Sequence, residues 1–269
     1  SNSLNFSKMW YNICIMKRII FILTLFLLFI NTAVFAAQTT VTKEITATAS
    51  DGFTLKGYLE YSKIKNQKEF KTVVLLHSLG YSSEWWGSLP KDLLNKGYAV
   101  LRIDLRGHGK SVYNSKLVRT SWTSFTNNAF AKYPNDVISI IEQVKSENSR
   151  RIFFKDWAIV GSDIGASTAI LATDKIAYKP KTLVLLSPVV KTKGLYVPVV
   201  LANLNNIDIF SVSGTNDVSG HNTQEYLKKF AQSTFATYTS DARSSGMLML
   251  KNDASLSRVI TSWIGEYLK

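Results

Sequence analysis

The apolar positions of this chain change period several times along its length. Thr40 to Ser50 is rich in β-branched residues and partly alternates, Asp51-Gly52 is a tight-turn signal, and Phe53 to Tyr61 returns as a second strand-like run. Together they predict an N-terminal β-hairpin. After a charged stretch, Lys63 to Lys71, the run Val73 to Leu76 is continuously apolar, as expected of a strand buried on both faces. A helix is predicted from about Glu84 to Lys96, closed by Gly97, and Tyr98 to Ile103 is the next buried strand. Asn135 to Ser146 carries Val137, Ile138, Ile140, Ile141 and Val144 at helical spacing. Strands are then predicted at Trp157 to Val160, Thr182 to Leu186, Ile207 to Val212 and Phe235 to Tyr238. Helices are predicted at Ala166 to Lys175, Thr223 to Ala231 and Asp253 to Leu268. Residues 112–130 and 187–206 hold aromatics (Trp122, Phe125, Phe130, Tyr196) but no decodable period. A hairpin followed by alternating strands and helices predicts an α/β domain around one mostly parallel sheet, with helices on both faces.

Composition agrees with a packed domain. Apolar residues make up 46% of the 269 and charged residues 19%, which is too few charges for a disordered chain. No internal repeat, low-complexity tract or linker divides it, so a single domain over residues 37–269 is expected. The N-terminus reads differently. Met16-Lys17-Arg18 precedes an apolar run, Ile19 to Ile30, and then Ala33-Val34-Phe35-Ala36. A short basic region, an apolar stretch of roughly 7–15 residues and small residues form the pattern of a secretory signal. Cleavage is expected after Ala36, with residues 1–15 upstream of a start at Met16. The alternative is an uncleaved membrane anchor, since the apolar stretch nears the ~20 residues that span a bilayer. The sole cysteine, Cys14, lies upstream of that start, so an exported chain would form no disulfide and offer no thiolate to a metal. Removing Lys8, Lys17 and Arg18 from the +13 chain leaves 29 basic and 19 acidic side chains. The basic residues are scattered, with short clusters at Arg150-Arg151 and at Lys191 and Lys193, and lack an interleaved aromatic stripe. A solvated surface is expected rather than a nucleic-acid interface.

The chemistry concentrates at Gly161-Ser162-Asp163-Ile164-Gly165, between a strand-like and a helix-like run. This is the pattern of a nucleophile elbow, in which the strand-to-helix turn leaves no room for a Cβ two residues before or after the reactive side chain. Counting from the glycines puts Asp163, not Ser162, in the nucleophile position. Three further segments accompany it: Leu75-Leu76-His77-Ser78-Leu79-Gly80, then Asp104-Leu105-Arg106-Gly107-His108-Gly109-Lys110-Ser111, then Ser213-Gly214-Thr215-Asn216-Asp217. In this order and spacing the four resemble the α/β-hydrolase superfamily, nearest to small serine hydrolases of the dienelactone-hydrolase or acyl-aminopeptidase type, over about residues 45–269. The resemblance implies an α/β-hydrolase fold with a minimal cap. It implies an oxyanion loop at 77–80, with the N–H groups of Leu79 and Ile164 as oxyanion donors and Ser78 beside them. It also implies Asp217 as the acid of the triad, whose alternative role is to cap the following helix. His77 and His108 fall in loops that are structural turns in that family.

The sequence departs from the family at two positions. Asp163 replaces the nucleophilic serine, and the loop Asp241 to Met247, where the family carries its histidine, places Ser244 or Ser245 in that position. Serine accepts no proton usefully near neutral pH. His221, four residues after Asp217, would have to swing into the base's place. Aspartate nucleophiles do serve haloalkane dehalogenases and epoxide hydrolases of this fold, but those enzymes carry a cap domain longer than residues 187–206, and dehalogenases usually have Trp where this chain has Ile164. Two readings follow: a non-catalytic or impaired relative retaining a pocket for a small-molecule ligand, or an active hydrolase of esters or related acyl substrates using Asp163 or an unusual base. Neither requires a cofactor or a metal.

Overall fold

The computed structural model describes residues 39–269, apart from 64–66, 68 and 149. The expected signal segment lies outside the described residues. Strands β1 (Thr40–Thr48) and β2 (Thr54–Ser62) form the N-terminal hairpin about the Asp51-Gly52 turn. There follow β3 (Phe70–Leu76), α1 (Leu89–Asn95), β4 (Ala99–Asp104), α2 (Asn127–Phe130), α3 (Tyr133–Asn148), β5 (Ile152–Ser162), α4 (Ile164–Lys175) and β6 (Thr182–Leu186). The remainder is β7 (Lys191–Thr192), β8 (Leu195–Tyr196), α5 (Pro198–Leu201), β9 (Asp208–Gly214), α6 (Val218–Lys228), β10 (Phe235–Ser240), α7 (Met249–Asn252) and α8 (Leu256–Tyr267). Among the described residues these build an eight-stranded sheet in the order β1-β2-β4-β3-β5-β6-β9-β10, with β7 and β8 forming a separate two-stranded ribbon. The pairs β1·β2 and β2·β4 are antiparallel, and every other pair in the large sheet is parallel. This is the α/β-hydrolase architecture.

The apolar runs split across the sheet with the period of two that strands impose. Val74, Leu76, Leu101, Ile103, Ile159 and Leu185 join α3 and α4 in one core, while Val73, Leu75, Val100, Val160 and Val184 join α1 and α8 in the other. No helix among the described residues is long and apolar enough to cross a membrane.

Several boundaries differ from expectation. The helix expected from Glu84 begins only at Leu89, because Gly87 takes a positive φ of 57° and Pro90 suits a helix's first turn. Trp86 is buried in the core, but Trp85 is half exposed, edge-on to Tyr81. Strand β5 extends well before Trp157, and its pairing with β3 shifts register between Lys71 and Thr72. Lys155 and Asp156 had interrupted the apolar pattern there. The helix expected from Thr223 begins at Val218, because Asp217 caps it by accepting a hydrogen bond from Gly220 N at 2.8 Å. Residues 112–130 supply a Ser121-capped 3-10 turn and α2, and 187–206 supply the small ribbon and α5.

One buried ion cluster ties the hairpin to the sheet. Arg106, only 4% exposed, donates to both carboxylate oxygens of Asp136 on α3, each at 2.7 Å, and to both of Asp51 in the β1–β2 turn, at 2.7 and 3.0 Å. Its guanidinium lies 4.4 Å from the centre of the Phe53 ring. The cation holds the Asp51 carboxyl well below the usual carboxylate range. Removing it strands a buried charge on Asp136. Arg106→Ala is therefore expected to cost about 3–5 kcal/mol of stability, and Arg106→Lys less, since the charge survives but the planar fork does not. Urea unfolding of the two variants checks both; a loss under about 1 kcal/mol for Arg106→Ala would contradict the analysis.

Candidate functional site

The site forms where the C-terminal ends of β3, β5, β6 and β9 converge, the usual location for ligands on open parallel sheets. The elbow builds its centre. Helix α4 is pressed so close to the sheet that a Cβ on Gly165 would fall 2.0 Å from Leu76 O, and one on Gly161 would fall 2.5 Å from Gly165 O. Between them Asp163 takes φ 52° and ψ −115°, a strained conformation for a side-chain-bearing residue. Its N–H donates to Leu186 O at 3.0 Å.

The side chain of Asp163 then turns to the oxyanion loop: Oδ2 accepts from Leu79 N at 3.2 Å. Burial pushes the Asp163 carboxyl upward from its ordinary range. The N–H groups of Leu79 and Ile164 pull it down, and Asp217 adds to the upward push. Burial outweighs the helix N-terminus here, although the N–H groups alone would favour the charged form. Asp217 faces the same cleft. Its Oδ1 caps α6, and its Oδ2 is buried without a hydrogen-bond partner.

The structure separates the two serines of the 241–247 loop. Ser245 lines the cleft, while Ser244 Oγ accepts from Asn252 Nδ2 at 2.9 Å and lies off the cleft wall. Ser78 also lines the cleft, its hydroxyl 2.7 Å from that of buried Ser162. His221 does not line it: Nε2 donates to Gly214 O at 3.0 Å. The walls are completed by residues that sequence reasoning missed, chiefly Ser187, Pro188, Val189 and Leu248. Ser187 holds a φ of 46°, and its hydroxyl accepts from Gly246 N at 2.7 Å. Its place just after β6, at a carboxyl end of the parallel sheet, was the available signal. The cleft encloses about 260 Å³.

His77 and His108 pin the loops around the site. His77 Nε2 accepts from Leu105 N at 3.0 Å and Nδ1 donates to Ser78 O at 2.8 Å. His108 Nε2 accepts from Gly80 N at 3.0 Å and Nδ1 donates to Arg106 O at 3.1 Å, with the ring stacked on Trp122. Each is thus fixed as the neutral Nδ1–H tautomer, crossing between the oxyanion loop and the Asp104–Ser111 loop. Among the described residues no group of three or more metal-ligating His, Cys, Asp or Glu side chains converges.

The family model for serine aminopeptidase, S33, matches residues 67–207, just over half of the chain. The chain belongs to this family of α/β-hydrolases. The match contains the elbow and ends before Asp217 and Ser245. No curated protein matches the sequence. Solved structures share the fold. An esterase of Pyrococcus furiosus superposes with a TM-score of 0.64 at 17% identity, over 85% of this chain and 92% of its own. Dienelactone hydrolase of Anabaena variabilis gives 0.62 at 14%, over 86% and 99%. Acylaminoacyl peptidase of Pyrococcus horikoshii gives 0.64 at 11%, over 86% of this chain and 42% of the peptidase.

Burial lowers the pKa of His77 to about 3 and that of His108 to about 4. Both lie below the ordinary 6.5, so the unfolded chain binds two more protons than the folded one between these values. Stability is therefore full above pH ~6.5 and falls on acidification. The slope expected between pH 4.5 and 6 is about 1.4 kcal/mol per unit for each histidine. Urea titrations across that window measure it. In His108→Gln, which keeps an acceptor for Gly80 N, the slope should fall by about half; an unchanged slope would assign the effect to other groups.

Proposed function

We propose that this member of the hydrolase family no longer carries out the family's chemistry and retains the cleft as a small-molecule binding site. The observation behind this reading is the seat of Asp163. Its carboxylate takes the hydrogen bond from Leu79 N that the family resemblance assigns to a substrate oxyanion. A negative charge already occupying that donor opposes the charge that develops in acyl transfer. Among the described residues lining the cleft none is a histidine, so neither a serine nor an aspartate ester would have a base to activate it or resolve it.

The unmodified protein is expected to give no turnover of p-nitrophenyl acetate or butyrate. Asp163→Ser alone should add little. Asp163→Ser combined with Ser245→His should exceed either single variant by about 100-fold or more, because members of a triad act as a unit. A second reading draws on the strained φ of 52° at Asp163, since strain of this kind collects at working sites: an active hydrolase of esters or related acyl substrates, with Asp163 as the attacking group. Turnover by the unmodified protein that Asp163→Asn abolishes would establish that reading and remove the first.

We also propose that the chain is exported, on the strength of the Met16 to Ala36 pattern. N-terminal sequencing of protein from its native cell should start at Ala37; recovery of a chain that still contains Met16 would overturn this.

A further inference from the structure

One loop outside the cleft turns its apolar side chains to solvent. Residues 112–120 close a small hairpin: Asn114 N donates to Val118 O at 3.1 Å, Leu117 N donates to Asn114 O at 2.9 Å, and Asn114 Oδ1 accepts from Lys116 N and Val118 N at 2.9 and 3.0 Å. Tyr113 and Arg119 pair across its base, and Tyr113 O accepts from Thr54 N on β2 at 2.8 Å. The tip held in this shape presents Leu117, 77% exposed, and Val118, 55% exposed. Leu117 takes a φ of 57°, a conformation that Gly or Asn adopts with less strain. An exposed leucine is ordinary by itself. One that also strains the backbone carries a local cost that its own burial does not offset.

The charge around the tip has one sign. From Leu105 to Asn135 the chain contains no Asp or Glu, and its charged residues there are Arg106, Lys110, Lys116, Arg119 and Lys132. Arg106, Lys110 and Lys132 pair with acids of the N-terminal hairpin. Lys116 and Arg119, on either side of Leu117-Val118, are exposed and take part in no ion pair among the described residues. Val112 and Arg119 also line a cavity of about 490 Å³ that shares Tyr81 with the cleft.

We propose that this loop docks the protein on an anionic lipid surface, with Leu117 and Val118 entering the boundary between headgroups and acyl chains and Lys116 and Arg119 lying against lipid phosphates. Aliphatic side chains flanked by cations match both layers of that boundary. A protein partner fits less well. A stable interface buries about 800 Å² on each side, and two aliphatic side chains among polar ones supply only part of that. A lipid surface asks for no matching shape, and a loop already closed by its own hydrogen bonds loses little freedom on contact. The contact is peripheral, since a tip of two aliphatic residues reaches no further than the headgroup boundary. Through the shared Tyr81 wall, docking sets the approach to the cleft beside the lipid.

The eight-stranded sheet and both cores lie within residues 39–269, so the chain from Ala37 carries the loop without the apolar run Ile19 to Ile30. Its sedimentation with vesicles of phosphatidylcholine alone is compared with that on equal parts of phosphatidylcholine and phosphatidylglycerol. Binding to the mixed vesicles should be about tenfold or more tighter, and ~1 M salt, which shortens the screening length to ~3 Å, should remove the preference. Leu117→Asn should weaken binding to the mixed vesicles by about tenfold and leave thermal stability unchanged or raised, because Asn tolerates the left-handed conformation. A leucine placed only to hold the fold would instead cost stability on substitution and leave binding alone. Lys116→Gln with Arg119→Gln should abolish the preference for anionic lipid. No binding to the mixed vesicles, equal binding to both kinds, or full binding by Leu117→Asn would overturn the proposal. So would a dimer that Leu117→Asn dissolves, which would assign the tip to a second copy of the chain. Val118→Ser tests the same contact should Leu117→Asn fail to fold.

Discussion

The contact on which the site depends is the approach of α4 to β3, where backbone meets backbone with no side chain between. With Leu76 O at 2.0 Å from where a Cβ of residue 165 would stand, only glycine permits it. That approach puts the first turn of α4 at the carboxyl end of the sheet and throws Asp163 into its positive-φ conformation. It also sets Asp163 beside Leu79, since the oxyanion loop begins directly after β3. The two buried histidines then hold this loop against the Asp104–Ser111 loop from either side. Arg106 ties the second loop to the hairpin turn and α3. The scaffold for a nucleophile is thus rigid for reasons of packing alone, whatever side chain occupies the elbow.

What a carboxylate does in that position follows from competing terms. The N–H groups of Leu79 and Ile164 favour its charge; burial and Asp217 oppose it, and the balance lifts the carboxyl above its ordinary range. A serine would meet none of this, being neutral until deprotonated in the reaction. The donors that the family resemblance assigns to a transient oxyanion are taken here by the Asp163 carboxyl. The elbow strain and the donor geometry persist although the group they serve differs, which separates the fold's requirements from the chemistry's.

Much of this was legible in the sequence. Val73 to Leu76 and Thr182 to Leu186 read as buried strands because both faces are covered, and the spacing of Gly161 and Gly165 selects Asp163 without any coordinates. Other features depend on tertiary contacts that periodicity does not carry. The start of α6 was hidden because Gly220 reads as a turn residue; it is there because Asp217 Oδ2 leaves a Cβ no room. Ser244 and Ser245 are equivalent in sequence, and tertiary contacts separate them: Ser244 bonds Asn252 while Ser245 lines the cleft. Ser187 follows a well-marked strand, but its role comes from Gly246, 59 residues later.

The two departures from the family pattern are linked through charge. In the arrangement the resemblance implies, an imidazole stands between the acid and the nucleophile, and its protonated form supplies the positive charge that a buried acid needs. With Ser245 on that wall and a carboxylate at the elbow, the cleft carries two acids and, among the described residues lining it, no imidazole. Asp217 Oδ2 has no donor and is buried against Gly220, while Oδ1 is committed to the start of α6. Reversing only one departure leaves an imbalance: a histidine alone would pair with two acids, and a serine alone would keep its proton.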